Sequence, residues 1–182
     1  MLEFEKKILL TESEYCILLN QITSPDSVIK QTNYYYDNDT LDMNSKGITC
    51  RIRHKDDKYT LMIKSHKHGD DYCSFEKNIA VLDHFDDTKF ENMGLSLKGK
   101  LVTYRQLFYK DKNIEIVLDK NEYFNVVDYE LEIEYTNECE ALVDNYITKI
   151  ANILGIKKET IFKRIVFAET KSNRLFKKLT KI

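Results

Sequence analysis

The sequence predicts an α+β fold built mainly from antiparallel strands, with about four helices. Segments of alternating polar and apolar residues recur along the chain, a pattern typical of strands with one buried face. Short polar turns separate several of these segments, which favours antiparallel pairing. Other segments carry apolar residues at helical spacing behind a capping residue. With 182 residues, the chain is long enough for one well-packed domain, and we expect that domain to cover residues 1–182.

Capping signals locate the helices. Thr11 and Glu14 form a capping box, which predicts a first helix ending before Pro25. Asn137 is a candidate N-cap for a long amphipathic helix that Gly155 ends. These and similar signals predict four helices: one after residue 11, and others at 83–93, 137–154 and from 158 to about 167 or beyond.

Eight segments are strand-like. The alternating pattern predicts strands at residues 2–8, 30–36, 49–54, 58–64, 72–79, 100–109, 113–120 and 123–135. Polar residues at 111–113 and 120–122 are typical of turns and separate the last three strands.

Composition excludes several classes of protein. The net charge of -2 gives no bulk basicity for nucleic acid binding, and no apolar run approaches the length of a membrane span. The four cysteines show no zinc-ligand spacing. The first residues lack a secretion signal, so we expect a cytoplasmic protein with reduced thiols and no membrane partner. Nothing in the sequence indicates an oligomeric state.

Several strands carry charge on one whole face. Arg51 and Arg53 share a face opposite Ile52, while Glu130 and Glu132 share a face in a later strand. One interpretation is an open sheet whose second face is solvated and crossed by ion pairs. The other is a closed barrel whose charged lumen binds a ligand. The patterning alone gives both interpretations equal weight.

The first strand carries the motif E-x-E-x-K at Glu3, Glu5 and Lys7. Alternation places the three side chains on one face, which suits a divalent cation site next to an anion site. A solvated, charged edge strand is the alternative.

Together these motifs resemble the CYTH domain, or triphosphate tunnel metalloenzyme, superfamily. The resemblance covers nearly the whole chain. It follows the order Glu3-x-Glu5-x-Lys7, Gln31 to Asp37, Gly47 to Arg53, the strand ending at Lys64, Glu76, Arg105, Asp119, Asp128 to Glu132, and Lys171-x-x-Arg174. The chain is most similar to the small single-domain bacterial branch, whose members are often labelled adenylate cyclases.

The resemblance implies a closed eight-stranded antiparallel β-tunnel with outer helices, and a site that holds Mg²⁺ or Mn²⁺. The implied metal ligands are Glu3, Glu5, Asp119, Glu130 and Glu132. The implied triphosphate-binding residues are Lys7, Arg51, Arg53, Lys64, Arg105 and Lys171. The implied catalytic residues are Glu130, Glu132 and Lys7. Further candidates are Glu76, Glu134 and Lys163, the last being an alternative to Lys171.

The activity that the resemblance implies is metal-dependent hydrolysis of a small-molecule triphosphate. We expect inorganic triphosphate to be cleaved to pyrophosphate and phosphate. An adenylate cyclase, or a thiamine or nucleoside triphosphatase, would use the same tunnel. A protein that binds polyphosphate or nucleotides without catalysis is the remaining alternative.

Overall fold

The structure is a computed structural model that describes residues 2–22, 28–66, 72–166 and 168–181, apart from the side chain of residue 137. Eight antiparallel strands form a closed barrel in the order β1-β5-β4-β3-β2-β6-β7-β8. The strands are β1 (Leu2–Leu10), β2 (Val28–Asp37), β3 (Ile48–Lys55), β4 (Lys58–His66), β5 (Cys73–Leu82), β6 (Ser96–Lys110), β7 (Ile114–Tyr123) and β8 (Val126–Tyr135).

The first and last strands close the barrel. In the antiparallel β1–β8 pair, Glu5 lies opposite Glu134 and Lys7 lies opposite Glu132. The prediction of a closed eight-stranded barrel is therefore confirmed, and the open-sheet interpretation is wrong. Closure leaves no free sheet edge, so the charged faces of the strands point into a lumen.

Six helices occur among the described residues. They are α1 (Glu12–Leu19), α2 (Asp42–Ser45), α3 (Thr88–Glu91), α4 (Glu140–Leu154), α5 (Lys158–Val166) and α6 (Lys171–Leu179). The capping box of α1 is present, because Thr11 Oγ1 accepts from Glu14 N at 3.2 Å and Glu14 Oε2 accepts from Thr11 N at 2.8 Å. No helix in the described ranges is long and apolar enough to cross a membrane.

Three helix predictions differ from the structure. The helix predicted at 83–93 is the single turn α3, which begins at Thr88. Asp86 Oδ1 accepts a hydrogen bond from Thr88 N at 3.0 Å, just before this turn. Helix α4 begins at Glu140 behind a 3₁₀ turn at Asn137–Cys139, so residue 137 is not its N-cap. The helix that starts at Lys158 ends at Val166, and α6 is a separate helix. Gly155 ends α4 as predicted, with φ at 66°.

The turn predicted at 120–122 is wrong. Strand β7 continues to Tyr123, and the chain reverses at Phe124 and the residue after it. Asn121 resembled a turn residue in the sequence, but its side chain is buried in the barrel. There it accepts from Thr103 Oγ1 at 2.7 Å and donates to Asp128 Oδ1 at 3.0 Å. A polar residue that faces a polar lumen therefore gave a false turn signal.

Apolar residues cover the outside of the barrel beneath the helices. One cluster packs α1, α4 and α5 against β1, β7 and β8, with Leu18, Ile147 and Ile161 fully buried. A second packs Phe90 of α3 and Leu95 against β2, β3 and β4. Because the outer faces supply the hydrophobic core, the inner faces are free to carry charge.

Helix α6 fills one part of the lumen. Leu175 and Phe176 pack against Tyr35, Leu101 and Tyr123, which lie on lumen-facing positions of β2, β6 and β7. The helix approaches β6 so closely that a Cβ atom added at Gly99 would lie 3.3 Å from Leu175 Cδ2. The apolar contacts of α6 leave the rest of the lumen as a polar cavity.

Candidate functional site

The lumen contains a polar cavity with a volume of about 160 Å³. All six predicted triphosphate-binding residues line it: Lys7, Arg51, Arg53, Lys64, Arg105 and Lys171. The carboxylates of Glu3, Glu5, Glu76, Glu132 and Glu134 line it as well. Strand alternation brings these charges together, because every second residue of each strand points inward.

Three carboxylates form a buried cluster, which we call the acidic cluster. Asp119 on β7 and Glu130 on β8 are backbone partners, and Glu132 is the next inward residue of β8. One carboxylate oxygen from each lies within 4.8 Å of the others, and all three residues are buried. Oxygen ligands around Mg²⁺ are about 2.9 to 4.2 Å apart, given metal–oxygen distances of about 2.1 Å. The donor type of the acidic cluster therefore fits a hard divalent cation.

Lys171 and Arg105 are two of the cationic side chains that contact the acidic cluster. Lys171 Nζ lies 2.9 Å from Asp119 Oδ2 and 2.8 Å from Glu132 Oε1, and it also contacts Glu130 Oε1. Arg105 donates to Asp119 through Nε at 2.9 Å and through Nη2 at 2.7 Å, and it also contacts Glu132. Buried charges of one sign are therefore matched closely by charges of the other.

The two glutamates of the acidic cluster have opposite pKa shifts. Burial raises the pKa of Glu130 above its ordinary value, and the attraction of Lys171 and Arg174 does not cancel this effect. Burial also favours the neutral form of Glu132, but Lys171, Arg105 and Lys7 together hold its pKa well below the ordinary range. Adjacent carboxyl groups with separated pKa values can take different roles in proton transfer.

The E-x-E-x-K residues form a second charged group on β1. Lys64 Nζ lies 3.1 Å from Glu3 Oε2 and 2.9 Å from Glu5 Oε2. Lys7 contacts Glu5 and lies 4.0 Å from Glu132. Burial would raise the pKa of Glu5, but Lys7 and Lys64 lower it below its ordinary value. The five predicted metal ligands thus lie in two groups, and Lys7 stands between them.

The arginines of β3 are less fully paired than Arg105. Arg51 Nη2 lies 2.8 Å from Glu76 Oε2, but Arg51 Nε is buried without a hydrogen-bond partner among the described residues. The hydrogen bond of Arg53 goes from Nε to the neutral Asn33 Oδ1, at 3.2 Å. Burial, with repulsion from Arg51, lowers the pKa of Arg53 to about 10, so the group stays charged at neutral pH at an energetic cost. An oxyanion in the cavity would supply the missing partner.

Of the further candidates, Glu76 and Glu134 line the cavity, whereas Lys163 does not. Glu76 is the partner of Arg51, and Glu134 is a half-exposed residue whose Oε1 lies 3.5 Å from Arg105 Nη1. Lys163 lies outside the lumen, in an outer pocket that it lines together with Lys6 and Phe162. Of the two C-terminal lysines considered from the sequence, the structure places only Lys171 in the cavity.

Several polar residues of the lumen were not among the predicted site residues. Gln31, Asn33 and Tyr35 line the cavity from β2, and alternation along that strand could have identified them. Arg174 was also not among the predicted site residues. It donates to Asp128 through Nε at 2.9 Å and through Nη2 at 3.1 Å. Its Nη2 also lies 2.7 Å from Glu130 Oε2, so it links α6 to the acidic cluster.

The acidic residue at the end of the Gln31 to Asp37 motif has a structural role instead. Asp37 is fully buried, and its carboxylate accepts from Met43 N at 3.0 Å and from Asn44 N at 2.8 Å. These bonds fix the start of α2 against the end of β2. Asp37 therefore contributes to the fold and not to the charged cavity.

Two sequence comparisons relate the chain to known proteins. A family model described as the CYTH domain matches residues 1–166. A protein of Bacillus subtilis named "Putative triphosphatase YjbK" is 30% identical over 148 residues, which cover 73% of this chain and 77% of that protein.

Solved structures share the fold. The crystal structure of a "putative adenylate cyclase" from Bacillus halodurans has a TM-score of 0.73 at 23% identity, over 96% of this chain and 97% of that one. The Hippeastrum protein HpAC1, described as having a dominant triphosphatase activity, has a TM-score of 0.59 at 18% identity, over 82% of this chain and 88% of that one. Likeness at these identities shows the fold alone.

Proposed function

The chain belongs to the CYTH domain family, and from this premise we propose that it hydrolyses a triphosphate with the help of a divalent cation. The observation that carries the proposal is the acidic cluster beside under-paired arginines in one closed lumen. A polyanion alone would be repelled by the carboxylates, whereas a complex of a cation and a polyphosphate offers each group a partner of opposite charge.

The proposed roles follow from the contacts. Arg51 and Arg53 bind phosphate oxygens, since a guanidinium group can donate to two oxygens at once. Arg105 lies between the acidic cluster and the cavity, where it stabilises charge on the transferring phosphoryl group. Lys7 and Lys64 provide further positive charge on the wall formed by β1 and β4.

The acidic cluster is the proposed cation site. Asp119, Glu130 and Glu132 would hold Mg²⁺ or Mn²⁺, which neutralises phosphate charge and lowers the pKa of a bound water. Glu132 stays ionised because of the cations around it, so it can accept a hydrogen bond from the attacking water and orient it. Glu3 and Glu5 lie on the neighbouring wall and are proposed as further cation ligands.

The cavity lining favours inorganic triphosphate as the substrate. In the described part of the chain the lining is polar or charged apart from the ring of Tyr35. Recognition of a nucleobase or a thiamine ring usually relies on apolar and aromatic contacts. A lining of arginines, lysines and carboxylates suits a ligand made only of phosphate groups.

The test is phosphate release by the purified protein from tripolyphosphate, ATP and thiamine triphosphate. We expect turnover that requires Mg²⁺ or Mn²⁺, stops with EDTA and is fastest with tripolyphosphate. Absence of metal-stimulated turnover with all three compounds would contradict the proposal. Formation of cyclic AMP from ATP in the same assay would instead indicate cyclase activity.

A further inference from the structure

Lys171 occupies a position that a bound cation would need. Its Nζ atom lies 2.9 Å from Asp119 Oδ2 and 2.8 Å from Glu132 Oε1, and it contacts Glu130 Oε1. These are the three carboxylates that form the acidic cluster. An ammonium group bound by all three uses oxygen atoms that a divalent cation would take as ligands.

The other cations near the acidic cluster have anchors elsewhere. Arg174 is held by Asp128 and donates from Nη1 to the Glu169 carbonyl at 2.6 Å. Arg105 also faces Glu134 at 3.5 Å. The ion pairs of Lys171 with the described residues, in contrast, all go to the acidic cluster. Of these three cations, Lys171 is therefore the one whose ion pairs are confined to the proposed cation ligands.

Charge considerations make simultaneous occupancy unfavourable. A divalent cation and an ammonium group within about 3 Å of each other repel strongly, even at the effective dielectric constant of a partly buried site. The same carboxylates without any cation would be costly as well, because buried charges need partners. The acidic cluster therefore favours one cationic occupant at a time.

We propose that Lys171 is an internal counter-ion of the acidic cluster that the divalent cation displaces into the cavity, where it becomes available to phosphate oxygens. This inference rests on the proposed cation dependence of the function. It gives Lys171 two successive partners, first the carboxylates and then the substrate.

The exchange needs movement of one side chain and not of the helix. Lys171 is the first residue of α6, and its flexible four-carbon stem already borders the cavity. The helix itself stays in place through Arg174, Leu175 and Phe176, which keep their contacts with the barrel.

The decisive experiment measures Mn²⁺ affinity without any substrate, by electron paramagnetic resonance or calorimetry. Lys171→Met removes the competing ammonium while keeping a similar apolar stem, so we expect Mn²⁺ to bind at least tenfold more tightly than in the wild type. Lys177→Met is the matched control, because it removes a lysine from the exposed outer side of the same helix, where Lys177 pairs with Glu169. Its Mn²⁺ affinity should equal that of the wild type. Unchanged or weaker binding by Lys171→Met would overturn the inference.

Thermal stability gives a second measurement. Without metal, Lys171→Met should melt below the wild type, because three buried carboxylates lose a partner. Saturating Mn²⁺ should raise the melting temperature of Lys171→Met by more than that of the wild type. If the variant folds only with Mn²⁺ present, that metal requirement also supports the inference, whereas an equal or smaller shift contradicts it. Because neither measurement uses a triphosphate, a protein that binds the metal as described but hydrolyses nothing would refute only the proposed function.

Discussion

The charged side chains on two walls of the same lumen are paired to different extents. On the acidic wall, built by β7, β8 and α6, every carboxylate of the acidic cluster contacts Lys171, and Arg105 and Arg174 add further ion pairs. On the basic wall, built by β3, Arg51 has one carboxylate partner and Arg53 has a hydrogen bond to a neutral amide.

The difference indicates a division between stability and binding. Charges that are fully paired in the folded protein stabilise it relative to a structure in which one partner is missing. A buried cation without a carboxylate partner is a cost to the fold, and an incoming anion removes that cost. We therefore expect changes on the acidic wall to affect stability and turnover, and changes on the basic wall to affect mainly substrate binding.

The largest expected effect comes from Glu130→Gln on the acidic wall. The substitution keeps the shape of the side chain but removes a negative charge from the proposed cation site, so kcat should fall by a factor of about 10³, within the usual range for loss of an acid–base or metal-binding group. Phosphate release and circular dichroism would be measured together.

Glu76→Gln is the matched control on the basic wall. It neutralises a carboxylate that lines the same cavity but contacts Arg51 instead of the acidic cluster. We expect kcat to change by less than about tenfold. Equal losses in the two variants would show that the walls do not differ in function.

The free energy of unfolding should distinguish Arg105 on the acidic wall from Arg53 on the basic wall. Arg105→Met leaves Asp119 and Glu132 with a missing partner and should lower the free energy of unfolding by about 3–5 kcal/mol. Arg53→Met replaces an under-paired buried cation with an apolar side chain and should leave stability unchanged or raise it by about 1 kcal/mol or more. Urea denaturation without ligand measures both values. A loss at Arg53→Met as large as that at Arg105→Met would contradict the proposed difference.

The strands of the barrel could be predicted well because the alternation that marks a strand is a local pattern in the sequence. Alternation marks both the inward and the outward face of each strand, so all eight strands were located. The turn at 120–122 failed because local polarity does not show whether Asn121 faces solvent or a polar lumen. The position of α6 inside the barrel also lay beyond reach, since its apolar face could equally cover the outside.

The candidate site was predictable in its composition but not in its pairing. Family motifs supplied the charged residues, and all eleven residues with an implied metal, substrate or catalytic role lie at or beside one cavity. These are Glu3, Glu5, Lys7, Arg51, Arg53, Lys64, Arg105, Asp119, Glu130, Glu132 and Lys171, of which Asp119 and Glu130 lie beneath the lining. Which cation meets which carboxylate depends on barrel stagger and on the entry of α6. The placement of Lys171 on the acidic cluster could therefore be found only in three dimensions.

Substitution of Arg53 should weaken substrate binding, although it is expected not to lower stability. Arg53→Met removes an oxyanion partner from the cavity, so the Kd for tripolyphosphate should rise by about tenfold, the value expected for loss of one charge-assisted hydrogen-bonding group. Calorimetry with Ca²⁺ in place of the catalytic metal would measure binding under conditions of slow turnover. Arg164→Met is the control, because Arg164 pairs with Glu14 on the outside of the barrel. A Kd that is unchanged in Arg53→Met would remove this residue from the proposed binding set.

The smallest expected effect is a change in the slope of stability with pH. Because cations around Glu132 hold its pKa well below the ordinary value of 4.5, its ionised form stabilises the folded state above pH 4.5, and this contribution is lost as the pH falls further. In Glu132→Gln the slope below pH 4.5 should therefore be smaller than in the wild type by up to about 1.4 kcal/mol per pH unit. Glu134→Gln is the control, since partial burial and repulsion from Glu132 raise the pKa of Glu134, so that its proton binds above pH 4.5. Acid denaturation that is equally steep in the wild type and in Glu132→Gln would show that the acidic wall is less tightly paired than its contacts indicate.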